Sequence, residues 1–216
     1  MSKEAKIIIG IVIASVVGLV VAAFTLGSKN PTPTTAALAD QALLVRSDSQ
    51  KIATDSARVT LVEFGDFQCP SCAAAHPIIK QLLNEYPTQV NFVYRNFPLP
   101  QHANAQKAAE SAEAAGDQGQ YWAMFDLLFS HQNDWEASSN AVGIFTGYAE
   151  GLKLNMTKFK ADLDGNKFFD KVYRDKADGN SLGVNSTPTF YINGRQIIGV
   201  LSLDQFKAEV DRELAR

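Results

Sequence analysis

Hydrophobic residues are distributed along this chain in two different ways, and the first is a continuous block. Residues 7–26 carry no charge and consist mainly of isoleucine, valine, alanine and leucine. At about 1.5 Å per residue, a helix of this length spans the roughly 30 Å apolar core of a bilayer. Lys3 and Lys6 precede the block, and Lys29 is the only charge close behind it. This bias predicts a transmembrane anchor, with residues 1–6 in the cytoplasm and the rest outside.

A cleaved signal peptide is the alternative for the N-terminal segment, because Ala37-Leu38-Ala39 has a small-x-small pattern. Signal sequences, however, usually have apolar regions of about 7 to 15 residues, and this triplet lies well beyond the block. We therefore expect an uncleaved anchor. Residues 27–41, which include Pro31 and Pro33 among threonines and alanines, predict an extended linker because they have few large apolar side chains.

The second pattern is periodic, begins near residue 42 and predicts a folded domain over residues 42–216. The first part reads as an edge strand at 42–46, a polar connection at 47–57, a strand at 59–64, a helix at 73–86 and a strand at 90–94. The strand at 59–64 is apolar on both faces, which indicates a buried central strand.

Helical periodicity dominates the middle of this domain, in segments at 103–115, 118–130, 140–150, 157–163 and 168–182. A strand at 189–192 follows, then an Asn193-Gly194 hairpin turn, a strand at 196–198 and a helix that starts at Ser202 or Leu203. This order predicts an α/β layered domain with a helical insertion at about 101–182.

Composition narrows the function. The formal net charge is −3 with both signs mixed along the chain, so no basic face points to nucleic acid. The two cysteines of the 216-residue chain lie in a single motif, so we do not expect disulfides to stabilise the fold by linking distant segments.

That motif, Cys69-Pro70-Ser71-Cys72, lies between the buried strand and the helix that follows it. Unpaired backbone N–H groups and the positive end of the helix dipole meet at a helix start, and both favour a thiolate. Two thiols at this spacing can also close into a disulfide. The motif therefore predicts a redox pair in which Cys69 is the activated, accessible sulfur.

Two other interpretations of the cysteines are weaker. A structural disulfide across two residues would gain little chain entropy. A zinc site would need two more ligands, and the only histidines are His76, His102 and His131. We therefore expect neither a metal nor another cofactor.

Glu63 is the charged residue of the buried strand, six positions before Cys69. A carboxyl buried there would have a raised pKa and could exchange protons with Cys72. The alternative is a residue at the sheet edge that faces solvent.

With these motifs the chain resembles the thioredoxin superfamily, and within it the DsbA-type thiol–disulfide oxidoreductases, over about residues 42–216. The landmarks are Val-Glu-Phe-Gly-Asp-Phe-Gln-Cys-Pro-Ser-Cys with Pro77 in the next helix, Phe-Pro-Leu followed by His102, Gly183-Val-Asn-Ser-Thr-Pro-Thr-Phe, and Asn193-Gly194 with Gly199. The resemblance implies a thioredoxin fold with a helical insertion, here preceded by one N-terminal transmembrane helix.

The resemblance also implies residue roles. Cys69 would be the nucleophile and Cys72 the resolving thiol, while Pro188 would be a cis proline beside them. Thr187 would pair with an extended substrate by strand addition, next to Pro70 and Ser71 of the motif. Glu63 would be the buried acid that transfers protons.

Ser71 departs from the enterobacterial pattern, in which a histidine at this position helps to stabilise the thiolate. We therefore expect a Cys69 pKa between the values near 3.5 and near 7 of oxidising and reducing members, and an intermediate reduction potential.

The resulting hypothesis is an oxidase on the extracytoplasmic side of the membrane, acting on exported proteins with free thiols. By resemblance, its recycling partner would be a quinone-linked membrane oxidase of the DsbB or vitamin K epoxide reductase type. One alternative is a reductase or isomerase fed by a transmembrane electron donor. The other is a non-catalytic binding or chaperone module.

Overall fold

A mixed five-stranded sheet with the order β1-β3-β2-β4-β5 forms the centre of the structure. This computed structural model describes residues 38–216, so the predicted anchor at 7–26 and nearly all of the linker lie outside the described residues. Strand β2 pairs in parallel with β3, and every other pairing is antiparallel. The strands are β1 Gln50–Ile52, β2 Val59–Gly65, β3 Val90–Asn96, β4 Thr189–Ile192 and β5 Arg195–Ile198.

The helices cover both faces of this sheet. In chain order they are α1 Gln41–Leu44, α2 Pro70–Glu85, α3 Ala105–Gly116, α4 Tyr121–Ser130, α5 Gln132–Trp135, α6 Ala141–Gly151, α7 Met156–Asp164, α8 Phe169–Ser181 and α9 Leu203–Leu214. Helices α3 to α8 form the predicted insertion between β3 and β4. Over residues 38–216, no helix combines the length and the apolar character needed to cross a membrane.

Two elements near the start of the domain differ from the prediction. The edge strand expected at 42–46 is wrong, because helix α1 occupies this place. Asp40 caps that helix: its Oδ1 accepts a hydrogen bond from the Ala42 N–H at 2.9 Å. The expected polar connection at 47–57 contains β1, which pairs with β3 at the sheet edge. An edge strand can remain largely polar, since Lys51 and Ile52 stay exposed.

The remaining elements agree in type with the prediction and differ at their ends by a few residues. The short helix α5 was not predicted. Its Trp135 is fully buried and donates from Nε1 to the Leu128 carbonyl at 3.0 Å.

Strand β2 leads into the loop that contains the two cysteines. Its last residue, Gly65, lies against Tyr94 of β3, and a Cβ atom at Gly65 would come within 2.6 Å of that ring. Only glycine therefore lets the strand pass this close to the tyrosine. The chain then reaches Cys69, which caps α2, and Pro70 begins the helix at a position that needs no N–H donor.

Candidate active site

Cys69 lies at the N-cap of α2, where its carbonyl accepts the first helical hydrogen bond from the Ala73 N–H at 3.1 Å. Both cysteines are free thiols. Cys69 is 7% exposed and Cys72 is fully buried. The predicted order of accessibility is therefore correct, but Cys69 is nearly buried where an open sulfur was expected. Pro70 and Ser71 between them are exposed.

The environment of Cys69 lowers the pKa of its thiol to about 5, against an ordinary value of 9.0. The main cause is a hydrogen bond from Cys72, and burial opposes it. Thr187 and the backbone of Cys72 and Ser71 add to the lowering. The value lies inside the predicted interval, and Ser71 acts through its backbone.

Cys72 has the opposite character. Burial raises the pKa of its thiol well above 9.0, and the neighbouring Cys69 and Glu63 raise it further. The Asp66 N–H, 3.5 Å from the Cys72 sulfur, acts against this. One helix start thus holds a sulfur that is a thiolate at neutral pH and a sulfur that remains protonated.

The turn before β4 faces the first sulfur. The Thr187–Pro188 peptide bond is cis, as the resemblance implies. The Cys69 thiol lies 3.4 Å from the Thr187 carbonyl oxygen, to which it can donate. The Pro188 carbonyl accepts from the Gly199 N–H at 2.9 Å, and Thr189 Oγ1 donates to the Ser186 carbonyl at 2.8 Å. These bonds fix the turn beside the thiol.

Glu63 points into the interior and is 3% exposed, so the alternative of a residue that faces solvent is wrong. Burial, and secondly the charge of Cys69, raise the pKa of Glu63 to about 8. The Glu63 carboxyl therefore remains mostly protonated at neutral pH, and its ionised form raises the pKa of Cys72. Its role in proton transfer remains a prediction.

Two residues near the motif were not predicted to contribute. The buried Asp66 accepts hydrogen bonds from Gln68 N at 2.7 Å, Leu99 N at 2.8 Å and His102 Nδ1 at 2.7 Å. Gln132 donates from Nε2 to the carbonyls of Phe67 and Cys69, at 2.6 and 3.1 Å. The landmark Phe-Pro-Leu with His102 was a signal for the first, whereas nothing in the local sequence marks Gln132.

His76, which the sequence placed four residues after Cys72, instead contacts Asp126 of α4 through Nε2, at 2.8 Å. Within residues 38–216, no cluster of three or more histidine, cysteine, aspartate or glutamate side chains could hold a metal ion.

This geometry can be compared with known proteins. A family model described as thioredoxin matches residues 49–212. A thioredoxin-like oxidoreductase from Silicibacter pomeroyi DSS-3 is 26% identical with a TM-score of 0.70, over 82% of this chain and 99% of that chain. Oxidised BdbD from Bacillus subtilis is also 26% identical with a TM-score of 0.70, over 78% and 94%. The α-DsbA1 of Wolbachia pipientis, 20% identical with a TM-score of 0.71 over 79% and 92%, shares the fold.

Curated relatives match part of their length. Na+/H+ antiporter NhaA 1 of Salinispora arenicola is 39% identical over 160 residues, which are 74% of this chain and 24% of the antiporter. NhaA 3 of Salinispora tropica is 38% identical over 155 residues, 71% of this chain and 23% of that protein. The chain spans about a quarter of the length of the curated relatives it matches.

Proposed function

This chain belongs to the thioredoxin family, and on that premise we propose that it is a DsbA-type thiol–disulfide oxidoreductase, which oxidises dithiols of exported proteins to disulfides. The observation that carries the proposal is the asymmetry of its two thiols. The pKa of Cys69 is about 5, while that of Cys72 is raised well above 9.0. A low pKa makes Cys69 a stable leaving thiolate, which favours the reduced enzyme and hence oxidation of the substrate.

The reaction begins with the Cys69–Cys72 disulfide. A substrate thiolate attacks the Cys69 sulfur, the S–S bond breaks and Cys72 leaves, taking a proton from the Glu63 carboxyl. The second substrate thiolate then attacks the substrate sulfur of the mixed disulfide, and Cys69 leaves as a thiolate. Two electrons pass from the substrate dithiol to the enzyme pair, and the substrate gains a disulfide.

The cis turn supports a role in substrate binding. An extended substrate segment that pairs with the Thr187 backbone would lie beside the sulfur that is 3.4 Å from the Thr187 carbonyl. Pro70 and Ser71 follow Cys69 directly in the chain, are exposed and would contact that segment.

We further propose that the domain is anchored on the extracytoplasmic side of a membrane. The uncharged residues 7–26 and the lysines before them support this placement. A disulfide that reacts with substrates persists in such a compartment. A membrane quinone-linked oxidase of the DsbB or vitamin K epoxide reductase type would then restore the disulfide.

Equilibration of the 216-residue chain with glutathione buffers tests the direction of electron flow. Interpolating between members with a pKa near 3.5 at about −120 mV and near 7 at about −270 mV gives roughly −180 mV for a pKa of about 5. A potential near or above this value, with peptide oxidation abolished in C69A, supports the oxidase. A value below about −240 mV would support a reductase or isomerase instead.

A further inference from the structure

Asp66, in the loop between β2 and α2, contacts both cysteines through its backbone. Its N–H points to the Cys72 sulfur at 3.5 Å, and its carbonyl accepts a hydrogen bond from the Cys69 N–H at 3.0 Å. Within residues 38–216, no other backbone N–H donates to the Cys72 sulfur. The Asp66 N–H is therefore placed to stabilise negative charge on the resolving thiol.

The peptide group between Gly65 and Asp66 is fixed at its other end by strand β3. The Gly65 carbonyl accepts a hydrogen bond from the Phe97 N–H at 2.7 Å, just beyond the last residue of that strand. The carbonyl and the N–H of one trans peptide group point in opposite directions, because the group is planar. The bond from Phe97 to the carbonyl therefore also sets the direction of the N–H toward Cys72.

The side chain of Asp66 holds the same peptide group from a second direction. Its carboxylate is fully buried and accepts three hydrogen bonds, from the Gln68 N–H at 2.7 Å, the Leu99 N–H at 2.8 Å and His102 Nδ1 at 2.7 Å. A buried carboxylate is costly unless its oxygens are hydrogen-bonded, so these three donors define one favourable position for the side chain. The backbone of Asp66 is thereby held in place as well.

Three of these donors come from one short segment, residues 97–102, with the sequence Phe-Pro-Leu-Pro-Gln-His. They are the N–H groups of Phe97 and Leu99 and the ring of His102. The prolines on either side of Leu99 have no N–H and a restricted φ, so a stiff stretch of backbone presents the single Leu99 donor to Asp66. The proposed reaction gives this landmark of the sequence no role, whereas its contacts all lead to the peptide group that faces Cys72.

We propose that Asp66, held by segment 97–102, keeps its own N–H on the Cys72 sulfur and stabilises the thiolate that leaves when a substrate thiolate attacks Cys69. This inference rests on the proposed thiol–disulfide exchange. The substrate thiolate forms a bond to the Cys69 sulfur, the Cys69–Cys72 bond breaks, and its electron pair goes to the Cys72 sulfur. The hydrogen bond from Asp66 strengthens as this charge develops, before a proton reaches the sulfur. The side chains of Asp66 and His102 are positioning groups that act through this N–H.

The burial of Cys72 gives this donor its importance. Cys72 is fully buried and its thiol has a raised pKa, so the thiolate is unfavourable there and leaves slowly unless it is stabilised. A donor that is fixed in advance stabilises a developing charge without any rearrangement. The two sulfurs thus depend on different groups, since Cys69 is stabilised at the helix start and beside Thr187, and Cys72 from the loop before the helix.

The test is the rate at which excess glutathione reduces the oxidised 216-residue chain, followed by acid quench and labelling of the new thiols. Removing a fixed donor from a developing anion costs roughly 10²–10³ in rate. H102A displaces the Asp66 donor without removing it, so we expect the reaction to slow about tenfold. H102N keeps an N–H group near the position of Nδ1 and should retain most of the rate. The matched control is H131A, which breaks the exposed His131–Asp134 pair and should leave the rate unchanged.

Two further measurements separate this role from a general support of the loop. The N–H acts on the transition state in which Cys72 leaves, and the reverse attack by Cys72 passes through the same state. The reduction potential of H102A and the alkylation rate of Cys69 in its reduced form should therefore equal those of the wild type. D66N has the same size but places an NH₂ group where Leu99 and His102 need an acceptor, so it should also be slow.

A rate for H102A equal to that of H131A would overturn the proposal, as would a D66N variant as fast as the wild type. So would an H102A in which Cys69 alkylation slows to the same extent, or an H102N as slow as H102A. Glutathione attacks Cys69 in the same way whichever direction electrons flow in the cell, so the potential that decides between oxidase and reductase leaves this test intact. A wild-type disulfide that does not react with glutathione would instead refute the proposed exchange itself.

Discussion

The sulfur of Cys69 lies 3.4 Å from the carbonyl oxygen of Thr187, a residue 118 positions later in the chain. The register of the sheet brings them together, because Phe64 of β2 pairs with Thr189 of β4. The two strands run antiparallel, so the loop that leaves β2 and the turn that enters β4 meet at the same end of the sheet. The nucleophile and the proposed substrate-binding backbone thus form one surface.

The thiol of Cys69 should titrate with a midpoint near pH 5. At pH 5.5 about three quarters of it would be thiolate, against roughly 0.1% of a free cysteine with a pKa near 8.5. A thiolate of low pKa is less nucleophilic, with a Brønsted coefficient of about 0.4–0.5, so the net gain is roughly 20-fold. Thiolate absorbance and the rate with an aromatic disulfide reagent, both followed against pH, measure this. A midpoint near 8.5 would remove the basis of the proposed function.

Replacing Cys72 by alanine should raise the pKa of Cys69, because it removes the hydrogen bond that contributes most to the lowering. A hydrogen bond to a charged group is worth about 1.5–3 kcal/mol, which corresponds to roughly one to two pKa units. The C72S variant keeps a donor hydroxyl and is the matched control, with a smaller change expected. Equal midpoints for C72A and the wild type would show that the helix start alone lowers the pKa.

Glu63 should make the reduced protein less stable as the pH rises. Its pKa is about 8 in the folded chain against an ordinary 4.5, so the unfolded chain loses a proton first and stability falls between these values. The E63Q variant has no carboxyl at this position and should not lose stability in this pH range. Its free energy of unfolding should match the wild type near pH 4.5 and exceed it by roughly 3 kcal/mol at pH 7. Urea unfolding at both pH values decides, and a constant difference would contradict the buried, protonated carboxyl.

The parts of the site that could be predicted are those marked by residues close together in the sequence. Cys69 and Cys72 follow a strand and precede a helix, and the resemblance placed the cis bond at Pro188. The interval for the Cys69 pKa was also correct, although the largest cause of the lowering is a hydrogen bond from Cys72. Strand β1 was missed because an edge strand is defined by its partner β3, and its own residues are mostly polar.

Contacts between distant residues could not be predicted in this way. Asp126 meets His76 across 50 positions, and Gln132 meets Cys69 across 63. Neither pair has a characteristic spacing, because each depends on how the helical insertion packs against α2.

The Arg95 network on the other face of the sheet should be important for stability. Arg95 is fully buried and bonds to Asp175 at 2.9 Å and Asp178 at 2.5 Å, which joins β3 to α8. R95A would leave the buried Asp175 without its cation, while Asp178 would keep Arg46, at a cost of about 3–5 kcal/mol in the free energy of unfolding. The control is R174A, also on α8, which breaks the exposed pair between Arg174 and Asp48. This change should cost less than about 1 kcal/mol. Equal losses in urea would show that the network is solvated.

Two helical glycines should respond to alanine in opposite directions. A Cβ atom at Gly179 in α8 would come within 2.7 Å of the Phe97 ring and 2.9 Å of the Phe64 ring, both buried against the sheet. G179A should therefore destabilise the domain by about 1–3 kcal/mol, because the rings have little room to move. At the exposed Gly147 in α6 a Cβ atom would meet nothing within 4 Å, so G147A should stabilise by about 0.5–1 kcal/mol through helix propensity. Thermal and urea unfolding compare the pair directly. A neutral or stabilising G179A would mean that α8 can move away from the aromatic side chains.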